Sequence, residues 1–293
     1  MKAIDYASPR TLAEAVALLA EGNGQARVLA GGTDVIVQVR EGMRDLDLLV
    51  DVKNIPEVNE LSYDSEQGLV LGAAVPCCQV CEDPEVSAAY PGIIDAASLV
   101  GGTAIQNRAS LGGNLCNGSP AADTIPPLIV HHAICRIMGP GGQRELPVEQ
   151  FCAGPGRTVL EPGEILVSFH IPAPSSTFGA HYLRFIPRNE MDIAVVGTGS
   201  SVLLDDAGTT FVSGRVALGA VAPTPLLVEE ASQLLSGSPV NDETIKRVAE
   251  AARRAARPIS DIRGTVEQRK HLSAVLTRRT LKKAIARAKG DSA

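Results

Sequence analysis

The sequence contains no tryptophan, and aromatic residues make up only 3% of its 293 residues. Planar side chains on which nucleic-acid bases can stack are therefore scarce. The chain carries 33 acidic and 27 basic residues, so it also lacks the excess of positive charge that is typical of proteins that bind phosphate backbones. The composition gives no reason to expect a nucleic-acid partner.

Long apolar runs are absent as well. No stretch approaches the roughly 20 apolar residues that a membrane-spanning helix needs. The first ten residues contain Asp5 and lack the hydrophobic segment of a secretory signal. We therefore expect a cytoplasmic protein that is not inserted into a membrane.

The sequence also lacks a recognisable set of metal ligands. Three of the six cysteines are close together in sequence and three are dispersed: Cys77, Cys78 and Cys81, then Cys116, Cys135 and Cys152. A closed zinc or iron–sulfur site normally needs four ligands, and nothing near the first three supplies the fourth. The five histidines show no ligand spacing. We expect free thiols, structural histidines and no metal, and the role of the first cysteine group stays open.

Helical and strand patterns alternate along the first part of the chain, which favours a mixed α and β fold. Thr-Leu-Ala-Glu at residues 11–14 is a capping box, and it predicts a helix that stops at Gly22. Residues 1 to about 55 are expected to form a small α/β unit. Further strands are expected at residues 26–30, 46–52, 68–74, 134–138 and 164–171, and helices at 91–100 and 124–132.

The second part of the chain shows a different order of elements. Residues 172–176, Pro-Ala-Pro-Ser-Ser, are typical of a linker between domains. Three strand patterns and then three helical patterns follow, an order that favours an α+β domain. The strands are expected at residues 181–185, 193–204 and 215–221, and the helices at 226–236, 242–256 and 265–288.

Two segments rich in glycine and small residues are the strongest candidates for ligand contacts. Residues 30–34 read Ala-Gly-Gly-Thr-Asp and directly follow an expected strand, and residues 110–114 read Ser-Leu-Gly-Gly-Asn. We call them the first and second glycine segments, and we expect both to be loops, the second within a long loop that begins after residue 100. Consecutive backbone N–H groups in such segments can hold a phosphate oxygen, although each segment alone is also compatible with an ordinary turn.

Together, these segments resemble the two FAD loops of the flavoprotein subunit in the xanthine dehydrogenase and carbon monoxide dehydrogenase family. Pro-Ala-Ala-Asp at residues 120–123 extends the resemblance, while Gln106-Asn107 departs from the family's usual Arg-Asn. The second half also resembles the family, in residues 182–188 (Tyr-Leu-Arg-Phe-Ile-Pro-Arg), 192–194 (Asp-Ile-Ala), 222–225 (Ala-Pro-Thr-Pro) and 260–264 (Ser-Asp-Ile-Arg-Gly). Nearly the whole chain is covered.

The resemblance implies an α+β fold: a two-part FAD-binding domain of the PCMH type over residues 1–175, with parts at about 1–55 and 56–175, then a domain over 176–293 with a three-stranded antiparallel sheet and a helical bundle. It implies bound FAD and no catalytic side chain in this chain. Expected cofactor contacts are Arg27, Val28, Leu29, Ala30, Gly31, Gly32, Thr33, Asp34, Ser110, Leu111, Gly112, Gly113, Asn114, Asp123, Leu166 and Arg184.

The resemblance further implies two partner subunits, a large one with molybdopterin and a small one with two [2Fe-2S] clusters, assembled as a dimer of heterotrimers. Electrons would pass from the nearer cluster to FAD and on to an external acceptor. The hydroxylated substrate and that acceptor stay undetermined. Two alternatives stay open: a self-contained FAD oxidoreductase resembling vanillyl-alcohol oxidase, and a non-enzymatic nucleotide-binding or scaffold protein.

Several residues allow two interpretations. Asp123 is expected either to cap the helix that follows it or to lie at the flavin, and Arg184 either to place a positive charge near the flavin or to cap a sheet edge. Gly113 is expected to face the phosphates and to need a backbone conformation that a branched residue resists. Residues 269–289 contain eight basic and no acidic residues, a pattern that favours the solvated face of a last helix over a site for an acidic partner.

Overall fold

A computed structural model describes residues 3–188 and 191–291 of the chain. Residues 3–51 form a small parallel sheet flanked by two helices, in which the third strand lies between the other two. Thr11 caps the first helix through a hydrogen bond from the Glu14 amide, as the capping box predicts, but the Glu14 carboxylate bonds the amide of Arg10. The elements are β1 (Asp5–Ala7), α1 (Leu12–Glu21), β2 (Ala26–Leu29), α2 (Val35–Arg40) and β3 (Leu48–Asp51).

A five-stranded antiparallel sheet forms the centre of the next part, in the strand order β4-β5-β10-β6-β7. Six short helices connect β5 to β6 and pack their apolar residues on this sheet. The elements are β4 (Leu61–Asp64), β5 (Gly68–Gly72), α3 (Cys77–Glu82), α4 (Pro84–Ala89), α5 (Pro91–Ala97), α6 (Thr103–Gln106), α7 (Leu111–Asn117), α8 (Ile125–Val130), β6 (Ile134–Gly139), β7 (Gly142–Pro147), β8 (Cys152–Gly154), β9 (Arg157–Thr158) and β10 (Ile165–Ile171).

The remaining residues form an antiparallel sheet covered by three helices, with a second core that is rich in valine, leucine and alanine. The sheet has four strands in chain order, one more than the expected three, because Leu226 and Leu227 pair with β13 where the sequence predicted the start of a helix. The elements are β11 (Phe178–Phe185), β12 (Val196–Leu204), β13 (Phe211–Gly219), β14 (Leu226–Leu227), α9 (Glu229–Leu235), α10 (Asp242–Ala255) and α11 (Val266–Ala288).

Charged residues tie the two halves together. The Asp95 carboxylate, on α5, receives two hydrogen bonds from the Arg287 guanidinium at 2.6 and 2.9 Å. It also lies 2.5 Å from Nδ1 of His181, on β11. These contacts hold the pKa of Asp95 at about 2 despite the opposing effect of burial. His181 and Arg287 therefore link the last sheet and the last helix to the first half of the chain.

Within residues 3–188 and 191–291, the longest helix, α11, lacks the run of apolar residues needed to cross a bilayer, and the other helices likewise fall short.

His131 is buried, and its Nδ1 donates a hydrogen bond to the Pro127 carbonyl. The expected structural role is confirmed for this histidine.

Candidate functional site

The first glycine segment lies between β2 and α2, at the end of the small parallel sheet. Gly32 has a φ of +79°, a conformation that side chains rarely adopt, so glycine is required there for the turn. A Cβ atom on Gly31 would lie 1.7 Å from the Arg108 carbonyl oxygen, which excludes any other residue at that position. The turn is therefore shaped to bring its backbone against the chain just before the second glycine segment.

The amide groups of the first segment are available to a ligand. Among the described residues, none accepts a hydrogen bond from the N–H groups of Gly31, Gly32, Thr33 or Asp34. Four consecutive unpaired donors on a turn with little side-chain bulk form a concave group of partial positive charges. Such a group suits the oxygen atoms of a phosphate.

The second glycine segment is the start of a helix, where the sequence predicted a loop. Ser110 is the N-cap of α7, and its hydroxyl oxygen accepts a hydrogen bond from the Gly113 amide at 3.0 Å. Helix α7 follows directly, and the unpaired N–H groups of its first turn point away from the helix. The prediction of a long loop was wrong because a serine cap and a glycine-rich first turn also fit an irregular segment.

The two adjacent glycines of this segment have different roles. A Cβ atom on Gly112 would lie 2.4 Å from the Ala73 carbonyl oxygen, so Gly112 allows α7 to pack on the chain after β5. A Cβ atom on Gly113 would meet only the Ser110 hydroxyl oxygen, at 3.1 Å, and Gly113 is exposed. Gly113 is helical, so the expectation that it needs a special backbone conformation was wrong, whereas the open space beside it agrees with the expected contact.

Side chains hold the two segments against each other. The Arg108 Nε donates to the Gly31 carbonyl oxygen at 3.4 Å. Asn117, at the end of α7, accepts a hydrogen bond from Gln38 at 2.9 Å and donates one to Asp34 at 3.3 Å. Segments about eighty positions apart therefore lie against each other, and we call the place where they meet the cleft.

A second group of contacts fixes the chain after α7. The Asn114 side-chain oxygen accepts a hydrogen bond from the Thr124 hydroxyl at 2.7 Å. Asp123, the residue before it, bonds the Tyr182 hydroxyl at 2.6 Å and the Arg184 guanidinium at 2.5 Å. The expected capping role of Asp123 was wrong, because Thr124 occupies the cap position of α8 and makes no side-chain cap.

Asp123 and Arg184 form a buried ion pair between the two halves of the chain. Their side chains are 12% and 6% exposed. Burial raises the pKa of Asp123, although Arg184 and Tyr182 both favour its charged form. The Arg184 Nε is buried and has no hydrogen-bond partner in the described part of the chain, so this charged side chain keeps a donor available. Arg184 thus bonds Asp123 on the neighbouring half of the chain, and it lies on β11, an edge strand of the last sheet, so both expected roles of Arg184 stay predictions.

The other expected contact residues lie at different depths. Arg27 is exposed on β2. Leu29 is buried beneath the first segment, while Val28 and Thr33 are partly exposed. Leu166, in contrast, is 3% exposed on β10 and belongs to the central apolar core. The structure therefore groups most of the expected residues at the cleft and places Leu166 inside the protein.

Four residues at the cleft were missing from the sequence-based set: Lys53, Arg108, Asn117 and Tyr182. Arg108 and Asn117 flank the second segment, and their proximity to it was a signal in the sequence. Lys53 reaches the Ala30 carbonyl oxygen at 3.1 Å from the end of β3, and Tyr182 lies 59 positions from Asp123. Only the fold brings these last two to the cleft.

The cysteines show no arrangement typical of a metal site. Within the described residues, no cluster of three or more cysteine, histidine and acidic side chains is placed to bind a metal, and all six thiols are free. Cys116, Cys135 and Cys152, dispersed in the sequence, interact with one another in the fold. Burial raises the pKa of Cys116 to about 12 and that of Cys152 to about 11, so both are neutral thiols at physiological pH.

Comparison with known proteins places the fold and the cleft in a family. Residues 2–174 match the model described as the FAD binding domain in molybdopterin dehydrogenase, and residues 181–284 match the carbon monoxide dehydrogenase flavoprotein C-terminal domain. The xanthine dehydrogenase FAD-binding subunit of Escherichia coli O157:H7 is 35% identical over 286 residues, with 97% of each chain covered. The carbon monoxide dehydrogenase medium chain of Hydrogenophaga pseudoflava is 30% identical over 283 residues, again with 97% of each chain covered.

Solved structures agree. A chain of carbon monoxide dehydrogenase from Hydrogenophaga pseudoflava superimposes with a TM-score of 0.93 at 29% identity, covering 98% of both chains. A chain of quinoline 2-oxidoreductase from Pseudomonas putida 86 gives a TM-score of 0.89 at 30% identity and covers 99% of both. The expected family and the mixed α and β architecture are confirmed. The chain belongs to the family of FAD-binding subunits of xanthine and carbon monoxide dehydrogenases, and it is a flavoprotein subunit of an oxidoreductase of the molybdenum hydroxylase type.

Proposed function

We propose that this chain holds FAD in the cleft between the two glycine segments, receives electrons from a partner subunit with [2Fe-2S] clusters, and passes them to an external acceptor. A large subunit with molybdopterin completes the complex, which we propose to be a dimer of heterotrimers. The observation that carries the proposal is the close approach of two segments with unpaired amide donors, locked by the contact of Gly31 with the Arg108 carbonyl.

The donors of the cleft fit the pyrophosphate of a dinucleotide. The first segment offers four N–H groups in sequence that have no partner among the described residues, and in the first turn of α7 the Leu111 and Gly112 N–H groups also have none. Gly113 leaves space for a phosphate oxygen where a side chain would intrude. We propose contacts by the sixteen expected residues, with Thr33 and Asn114 adding side-chain hydrogen bonds and Leu166 lining the interior beneath the flavin.

The flavin, when bound, supplies the redox chemistry, and the residues of this chain bind it and set its surroundings. Arg184 offers a buried positive charge and an Nε donor that has no partner among the described residues, and its guanidinium is held by Asp123, which in turn accepts a hydrogen bond from the Tyr182 hydroxyl. A fixed cation stabilises negative charge nearby, and it does so strongly where water is excluded. We propose that this group raises the affinity of the site for the electron-rich, reduced cofactor.

Cysteine number supports the assignment of the clusters to a partner. Two [2Fe-2S] clusters ordinarily take eight thiolates, and the chain has six cysteines. We also propose that the chain divides into two domains, residues 1–175, with parts at about 1–55 and 56–175, and residues 176–293. It also includes a cytoplasmic location, with which the six free thiols agree.

The test is to compare the chain alone with the chain co-expressed with the proposed large and small subunits. We expect the complex to turn over its substrate, a purine, an aldehyde, an N-heterocycle or carbon monoxide, and the flavin absorbance to bleach on mixing without an acceptor. The isolated chain should bind FAD but show no turnover. Turnover by the isolated chain, free of iron and molybdenum, would support a self-contained oxidoreductase instead.

A further inference from the structure

Lys53 lies just after β3, and its side chain reaches back to the first glycine segment. Its ammonium group donates to the Ala30 carbonyl oxygen at 3.1 Å and to Asp51 Oδ1 at 2.6 Å. The other carboxylate oxygen of Asp51 accepts a hydrogen bond from the Tyr6 hydroxyl at 2.6 Å. A chain of three hydrogen bonds thus connects β1 and β3 to the residue that precedes Gly31.

The bond to Ala30 fixes the direction of a neighbouring donor. A trans peptide is planar, and its C=O and N–H groups point in opposite directions. Holding the Ala30 carbonyl on the side of Lys53 therefore turns the Gly31 N–H to the opposite side. That N–H is unpaired within the described chain, and Gly31 is pressed against the Arg108 carbonyl. The peptide is thus fixed from two directions while its donor stays available.

The charges of Lys53 and Asp51 favour this arrangement at neutral pH. The side chain of Asp51 is 9% exposed and that of Lys53 is 35% exposed. Burial works against the charged form of Asp51, but the hydrogen bonds from Lys53 and Tyr6 outweigh it and lower its pKa. Asp51 is therefore ionised, and it holds the ammonium group at the glycine segment, where an anionic group would bind.

We propose that Lys53 is a positioning residue for the FAD pyrophosphate: it orients the Ala30–Gly31 peptide and places a positive charge beside the first glycine segment. This role rests on the proposed function and adds a residue outside the two glycine segments to the site. Asp51 and Tyr6 act through Lys53. Tyr6 makes no contact with Ala30, and its replacement leaves the charge of Lys53 in place. The effect of a Tyr6 variant on FAD affinity therefore separates the orientation of the Ala30–Gly31 peptide from the charge of Lys53.

The experiment measures the dissociation constant for FAD by titrating the deflavinated full chain and following flavin fluorescence. Four variants are compared with the unmodified chain: Lys53→Met, Lys53→Arg, Tyr6→Phe and Lys282→Met. Lys282 pairs with Asp242 on the surface of the last domain at 2.9 Å, and its replacement removes the same charge far from the cleft. Thermal unfolding of each apoprotein measures stability separately.

We expect Lys53→Met to weaken FAD binding by about 10- to 100-fold, the usual effect of losing a hydrogen bond to a charged group, here the bond from the Gly31 N–H to a phosphate oxygen. Tyr6→Phe should weaken FAD binding by roughly 3- to 10-fold, since this substitution removes one neutral donor from the chain of hydrogen bonds. Lys53→Arg should restore most of the affinity, and Lys282→Met should leave it unchanged.

Three results would overturn the proposal. A lower unfolding temperature with unchanged FAD affinity in Lys53→Met would make the lysine purely structural. An unchanged affinity in Tyr6→Phe would show that only the charge matters, and an equal loss in Lys282→Met would point to bulk electrostatics. Failure of the unmodified chain to bind FAD at all would instead contradict the proposed function, so the two failures are distinguishable.

Discussion

Replacement of Gly113 by valine tests the cleft at the point where the structure leaves space for a ligand. Gly113 is exposed in the first turn of α7, and an added Cβ would meet only the Ser110 hydroxyl oxygen, at 3.1 Å. The two further methyl groups of valine would extend into the open space beside the amides of α7. Gly113→Val should therefore obstruct a phosphate without obstructing the protein itself.

The expected magnitudes differ greatly for binding and folding. Loss of two hydrogen bonds to a charged phosphate costs about 3–6 kcal/mol, or roughly 10²- to 10⁴-fold in the dissociation constant for FAD. Valine in a helix is favoured over glycine by a few tenths of a kcal/mol, while disturbance of the Ser110 cap costs about 1 kcal/mol. The free energy of unfolding of the apoprotein should therefore change by no more than about 1 kcal/mol.

The assay combines FAD titration of the deflavinated chain with thermal unfolding in the absence of FAD. Two other glycines provide controls. Gly141 lies in a turn with no atom near its added Cβ, so Gly141→Val should leave both quantities unchanged. Gly112→Ala should destabilise the chain by about 1–3 kcal/mol, because its Cβ would lie 2.4 Å from the Ala73 carbonyl oxygen. Normal FAD affinity in Gly113→Val would show that the second segment does not contact the cofactor.

Two further predictions concern buried groups that titrate. Tyr182→Phe removes a hydrogen bond that lowers the pKa of Asp123, so this pKa should rise further. The loss of FAD binding on acidification should therefore move to higher pH. FAD titrations between pH 5 and 8 measure this shift, and Tyr63→Phe on β4 is the control. An unshifted profile would show that Tyr182 does not act through Asp123. Burial lowers the pKa of His131 to about 4, below the usual value of 6.5. As the pH falls, the unfolded chain therefore binds a proton at this histidine before the folded chain does. The free energy of unfolding should decrease by roughly 3 kcal/mol as the pH falls from 6.5 to 4. His131→Gln should flatten the pH dependence of the unfolding free energy in that window, and equal slopes in the two proteins would refute the assignment.

Local patterns in the sequence predicted the parts of the fold that depend on neighbours in the chain. The helix capped by Thr11, the strand before the first glycine segment and the long last helix lie within a few residues of their expected bounds. Short elements were missed: β14 is two residues long, and its place in the sheet depends on pairing with Ala217 and Leu218. No local pattern specifies such a pairing, because the partner strand supplies its hydrogen bonds.

The site divides in the same way. Gly31 and Gly32 were predictable because a tight turn after a strand requires glycine, and the structure shows a positive φ at Gly32. The contacts of Asp123 were not predictable from the sequence, since its local sequence equally fits a helix cap and its partner Tyr182 is 59 positions away. Lys53 was missed for the same reason, because only the parallel pairing of β2 and β3 brings it to Ala30.

The central claim is that this cleft binds FAD, and the most direct measurement is the flavin content of the purified chain. The chain should show a flavin absorbance spectrum, and acid or heat should release one FAD per chain into the supernatant, because neither glycine segment contains a cysteine, histidine or tyrosine to bond the flavin. Identification of the released flavin by chromatography completes the test. Flavin that stays with the denatured polypeptide, FMN in place of FAD, or a colourless chain that fails to take up added FAD would contradict the account.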